Sequence, residues 1–209
     1  MKKFVAPLAP LAPLAILAMA LPAATSLAAG GADVRIQLVD ARGVPVRDAV
    51  VEISPASGPN ASFRFPGRAA MAQKDLQFTP GTLVVAKGSA VVFPNLDRVR
   101  HSIYSFSRIA RFEFDLYGRD QTRSRAFPIT GSVALGCKIH DDMRGYIRVV
   151  DTPFAGKTDH NGIMTVSGVP GGMAKVTLWH PRLRAPGNET VSTVSVTGNL
   201  SRKFTVTLK

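Results

Sequence analysis

From residue 33 onward the sequence runs in short stretches of alternating or β-branched residues, with almost no apolar repeat at helical spacing. That pattern is the strongest restriction on its fold, because a period of two fits a half-buried strand and not a helix. Val34-Arg35-Ile36-Gln37-Leu38-Val39 alternates apolar and polar and then meets the turn Asp40-Ala41-Arg42-Gly43. Ala49–Ile53, Leu76–Phe78, Thr82–Ala86, Ala90–Phe93, Ser102–Phe106 and Arg111–Leu116 repeat the theme. Ser132–Leu135, Gly145–Val150, Ile163–Val166, Lys175–Trp179, Thr190–Val196 and Lys203–Leu208 continue it to the end. So many short strands, separated by Gly and Pro, predict an all-β chain built as antiparallel sandwich. Asp151-Thr152-Pro153-Phe154 is the one segment that reads as a hinge.

The first 28 residues follow a different rule. Lys2 and Lys3 precede an uncharged Ala/Leu-rich run from Phe4 to Leu21, and Ser26-Leu27-Ala28 offers small residues for cleavage. Pro7, Pro10, Pro13 and Pro22 would interrupt a membrane-spanning helix. The expectation is a secretory signal peptide over residues 1–28 and a periplasmic protein with no later membrane span. Losing Lys2 and Lys3 leaves 24 of the 26 basic residues against 14 acidic ones, a net charge of +10. Such a field attracts acidic partners. No nucleic-acid motif and no aromatic stacking pattern accompanies the basic residues, so nucleic acid is not expected as a partner. The densest basic run, Arg119–Arg125, reads as a solvated surface.

Cys137 is the one cysteine, so it forms no disulfide within its own chain. A lone thiol outside the cytoplasm is buried and inert, paired between chains, or engaged in chemistry. Its neighbours favour chemistry. Gly136-Cys137-Lys138-Ile139-His140-Asp141-Asp142-Met143 carries Cys-x2-His-x2-Met, and His101 lies 36 residues upstream, after a strand and the turn Pro94-Asn95-Leu96-Asp97. Two imidazoles, one thiolate and a weak axial thioether make the ligand set of a blue-copper centre. Zinc would not select the methionine, and the Cys-x2-Cys-His of covalent haem attachment is absent from the sequence. His160 and His180 fit no ligand spacing, and no nucleophile–base arrangement has independent support, so no enzyme is expected.

The ligand loop resembles that of amicyanin-type cupredoxins. The segments GCKIHDDMRGYIRVVDTPFAGKTDHNG, DLQFTPGTLVVAKGSAVVFPNLDRVRHSIYSFS and VPGGMAKVTLWHP resemble bacterial plastocyanin-like proteins often labelled "methylamine utilization protein". The resemblance covers most of the chain from Gln73 to Pro181 and implies a cupredoxin-like Greek-key β-sandwich over residues 71–150. It carries over His101, Cys137, His140 and Met143 as ligands of one type 1 copper. It implies a single-electron carrier with His140 as the electron port, and a periplasmic redox protein with an acidic docking surface as partner. Ser102 stands where cupredoxins commonly place an asparagine near the thiolate, and offers a hydroxyl donor there instead. Asp142 and Arg144 stand where the relatives are usually Trp and apolar, which makes the loop surface charged.

The outer segments carry a second resemblance. VRIQLVDARGVPVRDAVVEISP and KTDHNGIMTVSGVPGGMAKVTLWHP resemble parts of carboxypeptidase-regulatory-like (transthyretin-like) sandwiches. Neither piece has enough strands to bury a core alone, so residues 33–55 and 155–209 are expected to join in one sandwich, with the cupredoxin-like region inserted between them. The simpler arrangement is one domain over 33–150 with a small β appendix over 155–209. Two other functional readings stand beside the electron carrier: copper delivery without rapid redox cycling, and a scaffold module.

Overall fold

The computed structural model describes Met1, residues 31–58 and residues 62–209. The expected signal segment lies, apart from Met1, outside the described residues. Sixteen strands and one 3-10 turn make up the regular structure among the described residues, an all-β fold.

The chain opens with β1 (Ala32–Asp40) and β2 (Val50–Pro55). The middle of the chain supplies β3 (Ala72–Lys74), β4 (Gln77–Thr79), β5 (Thr82–Ala86), β6 (Ala90–Pro94), β7 (His101–Ser107) and β8 (Ala110–Tyr117). It goes on through β9 (Thr122–Ala126), β10 (Gly131–Cys137) and β11 (Arg144–Val150). The chain closes with β12 (Ala155–Lys157), β13 (Ile163–Val169), β14 (Gly172–Trp179), β15 (Glu189–Val196) and β16 (Leu200–Val206).

The first two strands pair with the last five. One sheet has the order β13-β1-β16, and a second has β12-β2-β14-β15. β1 lies parallel to β16, from Val34 opposite Leu200 to Asp40 opposite Val206, and antiparallel to β13. The period-two pattern explains the core: Val34, Ile36 and Leu38 turn inward, fully buried, against Val51, Ile53, Val176 and Leu178 of the other sheet. Each such burial contributes about 1.5–3 kcal/mol. Side-chain oxygens close the turns. Asp40 Oδ1 accepts the Arg42 and Val44 amides, and Asp159 Oδ1 accepts those of Asn161 and Ile163.

Residues 69–149 build a second core. Its main sheet runs β5-β11-β10-β7-β8, with β5 parallel to β11 and the other neighbours antiparallel. Across it lie the strand pairs β6–β9 and β3–β4, and the bridge Gln73–Asn95 joins these two pairs. Phe93 and Phe127 are buried between the layers, with Phe112 and Phe114 packed against them at ring-centroid distances of 5.7–6.4 Å. The basic run Arg119–Arg125, expected as a solvated surface, overlaps strand β9. Arg123 and Arg125 lay their guanidinium groups over the rings of Tyr117 and Phe112 at 4.9 and 4.7 Å. A guanidinium set over a ring covers aromatic surface through a cation–π contact, which a composition reading does not register.

The two cores meet at a buried polar cluster. Arg148 of β11 is 6% exposed and bonds Glu52 of β2 at 2.5 Å, Glu189 of β15 at 2.7 Å and the Ser132 hydroxyl at 2.8 Å. Beside it Tyr146 packs edge-to-face on Trp179, centroids 5.7 Å apart. Burial pushes the Glu52 carboxyl above its ordinary pKa, further than Arg148 pulls it down. The expected hinge is part of the same junction. Thr152 is 1% exposed, its hydroxyl donates to the Ile53 carbonyl at 2.6 Å, and the Phe154 carbonyl accepts the Ile53 amide. A segment bonded to β2 in this way is a seam and not a hinge.

Candidate metal centre

Strand alternation delivers the first two donors to one place. β7 and β10 are antiparallel neighbours, with Cys137 opposite Ile103. His101 lies two residues before Ile103 and Cys137 two after Leu135, so all four face the same interior side. The chain then leaves β10 through the loop that carries His140, and the Met143 amide donates to the His140 carbonyl at 3.0 Å. That bond closes the loop before β11 begins.

The result is a convergent trio. Cys137 Sγ lies 3.7 Å from His101 Nδ1 and 3.5 Å from His140 Nδ1, and all three donor atoms lie within 4.8 Å of one another. The imidazole centroids are 4.9 Å apart. A sulfur at about 2.3 Å and a nitrogen at about 2.0 Å from one ion, at tetrahedral to trigonal angles, would sit about 3.5–3.7 Å apart. The donor spacing therefore fits ligands arranged around a single metal. His101 and Cys137 are buried and His140 is half-buried. Met143, 2% exposed, belongs to the same core cluster as Cys137. His160 stands exposed in its turn, and His180 is half-buried just past β14, where its Nδ1 accepts the Arg182 amide. Among the described residues the trio is the one such group of His, Cys and carboxylate side chains.

Outside the trio is a layer that sequence reasoning passed over. The far nitrogen of His101, Nε2, bonds Asp97 Oδ2 at 2.8 Å. That contact occupies Nε2 and leaves Nδ1 facing Cys137, which selects the tautomer. Asp97 is held in turn by the amides of Asp75 at 2.6 Å and Leu76 at 3.1 Å. Those two residues form the β3–β4 turn, with positive φ of 55° and 57°, so successive N–H groups point at one carboxylate. Asn95, fully buried, accepts the Asp97 amide and donates to the carbonyls of Val99 and Tyr117. Burial alone would raise the Asp97 pKa, but His101 and the Leu76 and Asp75 amides outweigh it and hold the carboxyl below its ordinary value. The Asn95-Leu96-Asp97 turn was visible in the sequence, but the hairpin tip that docks on it was not.

Two expectations about the surroundings change. The Ser102 hydroxyl donates to the Phe114 carbonyl at 2.9 Å, away from the thiol, so it does not replace an asparagine donor. The surface beside the trio is also less uniformly charged than the loop sequence implied. Asp142 and Arg144 are exposed, but so are Leu76, Leu96, Val99 and Ile139, each between 44% and 50% accessible, on the ligand loop and the two loops joined through Asp97.

No protein-family model and no curated protein matches the sequence. Among solved structures, the fold is similar to a reduced Cu(I) amicyanin variant at pH 4, with 18% identity and a TM-score of 0.38 over 48% of this chain and 98% of that one. An oxidised amicyanin variant matches at 17% identity and the same TM-score over 48% and 98% of the two chains. A purple cupredoxin from Nitrosopumilus maritimus matches at 21% identity and a TM-score of 0.36, over 39% of this chain and 99% of that one.

Proposed function

We propose that this protein is a periplasmic type 1 copper protein that carries single electrons and catalyses no reaction of its own. The convergence of Cys137 Sγ with His101 Nδ1 and His140 Nδ1, at spacings suited to one ion, carries the reading. His101, Cys137 and His140 are the strong ligands and Met143 the weak axial one. A set of one thiolate, two imidazoles and a thioether serves both copper oxidation states, and zinc would not select the thioether. Copper bound there supplies a one-electron couple. The chain's own residues do the rest. Asp97 aims His101, the β7–β10 pairing fixes Cys137, and half-buried His140 is the electron port, with Leu76, Leu96, Val99 and Ile139 exposed on its own loop and on the two loops joined through Asp97.

In this reading residues 71–150 form a cupredoxin-like Greek-key sandwich. Residues 33–55 and 155–209 form the carboxypeptidase-regulatory-like one, and residues 1–28 are the signal peptide. The partner is a periplasmic redox protein with an acidic docking surface. The test is to add one equivalent of Cu(II) to the protein and record its visible spectrum. An intense thiolate-to-copper band, lost in Cys137→Ser, is the expected result. Copper taken up only as Cu(I), without colour, would replace electron transfer with copper delivery.

A further inference from the structure

β5 is an edge strand of the main sheet. β11 pairs with one side of it, and no strand pairs with the other among the described residues. A groove of about 510 Å³ runs along that open side and touches every residue from Leu83 to Lys87. Side chains of a strand alternate between two faces, so a groove that meets consecutive residues meets the strand at its edge. The Gly81 carbonyl accepts the Tyr146 amide and the Lys87 amide donates to the Val150 carbonyl, both toward β11. Alternate residues of a parallel ladder turn to opposite sides, so the amide and carbonyl of Val84 turn to the groove. Such an edge is a template for another extended chain.

The far wall is Ser62–Ala69, which holds no strand and makes no backbone hydrogen bond to β5 among the described residues. It is fixed at one end, where the Ala69 carbonyl accepts the Val92 amide at 2.9 Å. Phe63 and Phe65 stand half-buried on this wall, edge-to-face with centroids 5.5 Å apart, and belong to neither core. With half-buried Leu83 they give the groove its apolar surface. Its charge has one sign. Arg64, Arg68 and Lys87 line it exposed, no carboxylate lines it, and none of the three makes an ion pair among the described residues. A second copy of this chain would set the same cations against one another, which opposes self-pairing along this edge.

We infer that the open edge of β5 takes an extended acidic segment of another protein as an added strand. The main chain of that segment pairs with Val84, its alternate apolar side chains rest on Phe63, Phe65 and Leu83, and its carboxylates meet Arg64, Arg68 and Lys87. In this mode main-chain bonds supply affinity and side-chain contacts supply selectivity. The 5 residues of β5 offer about 17 Å of edge, enough for an added strand of equal length. β11 separates β5 from the strands that carry Cys137 and His101, so the inference stands independently of the copper reading.

The test titrates the peptide acetyl-Glu-Val-Glu-Phe-Glu-amide into the isotope-labelled protein and follows it by NMR. Shifts should centre on Phe63, Phe65 and Leu83–Lys87, and hydrogen exchange of the Val84 amide should slow. A strand presents its amides to alternate sides, so N-methylation of one alternate set, either the glutamates or the valine and phenylalanine, should abolish binding and N-methylation of the other set should not. Phe65→Ala should weaken binding about tenfold and leave thermal stability unchanged, because the ring lies outside both cores. Arg68→Glu with Lys87→Glu should weaken it at least as much and remove most of its salt dependence. Undiminished binding of both methylated peptides, equal binding of a version with lysine in place of glutamate, or shifts confined to the groove of Arg42, Arg47 and Arg182 would overturn the inference. So would a dimer in sedimentation before peptide is added, with the Val84 amide already protected, which would assign the edge to a second copy.

Discussion

Two buried polar groups lie on opposite sides of the main sheet, and they are built on opposite plans. Around Arg148 the polar groups face partners of their own, with Glu52 and Glu189 both opposing the one guanidinium and Ser132 accepting from it. Around Cys137 three metal-binding atoms face one another, and each is aimed by something behind it. His101 is aimed by Asp97, and Cys137 by its place at the end of β10. The first group is closed and holds two cores together. The second converges on a point where a cation would satisfy all three donors. Buried polarity alone does not mark a site, but convergence of donors without complementary charge does.

The comparison makes four predictions. The largest effect belongs to the closed cluster. Arg148→Ala strands Glu52 without its cation and should cost about 3–5 kcal/mol of stability, whereas Arg148→Met with Glu52→Leu should cost little or nothing. Denaturant unfolding of both variants checks this, and equal losses would mean that the cluster is not acting as a paired unit.

Asp97→Asn probes the open group. It keeps a hydrogen-bonding side chain but removes the charge behind His101, and metal affinity should fall about 10–100-fold. Metal-free stability should change much less, so competition with a chelator and denaturant unfolding should give different answers. Leu76→Ala leaves the backbone amide that Asp97 accepts, and should leave affinity unchanged.

Gly136→Ala brings a Cβ to 2.6 Å from the Tyr104 ring and forces the ring or β10 to shift. Overpacking of this kind costs about 1–3 kcal/mol. Because Cys137 follows directly, the same variant should shift the energy of the thiolate band, which no change near Arg148 should do.

The smallest effect is a pH dependence. Burial raises the Glu52 carboxyl above its ordinary value, so the folded state holds that proton more firmly than the unfolded chain. Its stabilising contribution is full below the unfolded pKa of about 4.3 and is lost as pH rises through the raised folded value. Glu52→Gln should flatten that limb of the stability–pH curve, measured by thermal unfolding.

Much of this was legible in the residues. Alternation in Val34–Val39 announced β1, and the approach of Ser132–Leu135 to the cysteine announced β10, because a half-buried strand records its two faces in its own sequence. Other features left no such trace. Leu76 reads as a strand residue and lies in a turn, because what matters there is the amide that it offers Asp97. Arg123 and Arg125 read as surface charge and cover aromatic rings. Thr152 reads as a linker and is a buried hydroxyl bonded across the seam.

Local chemistry was therefore written in the sequence: the all-β pattern, the Cys-x2-His-x2-Met loop and the upstream histidine. These depend on residue type and short spacing, and a strand or a ligand loop is specified within a few residues. Only the tertiary structure decided that Asp97 sits behind His101 and the 75–76 turn behind Asp97. The same is true of Arg148, which joins residues 52 and 189, and of Tyr104, which rests on Gly136. Those contacts join strands far apart in the chain, and which strands become neighbours is settled by the packing of two whole cores.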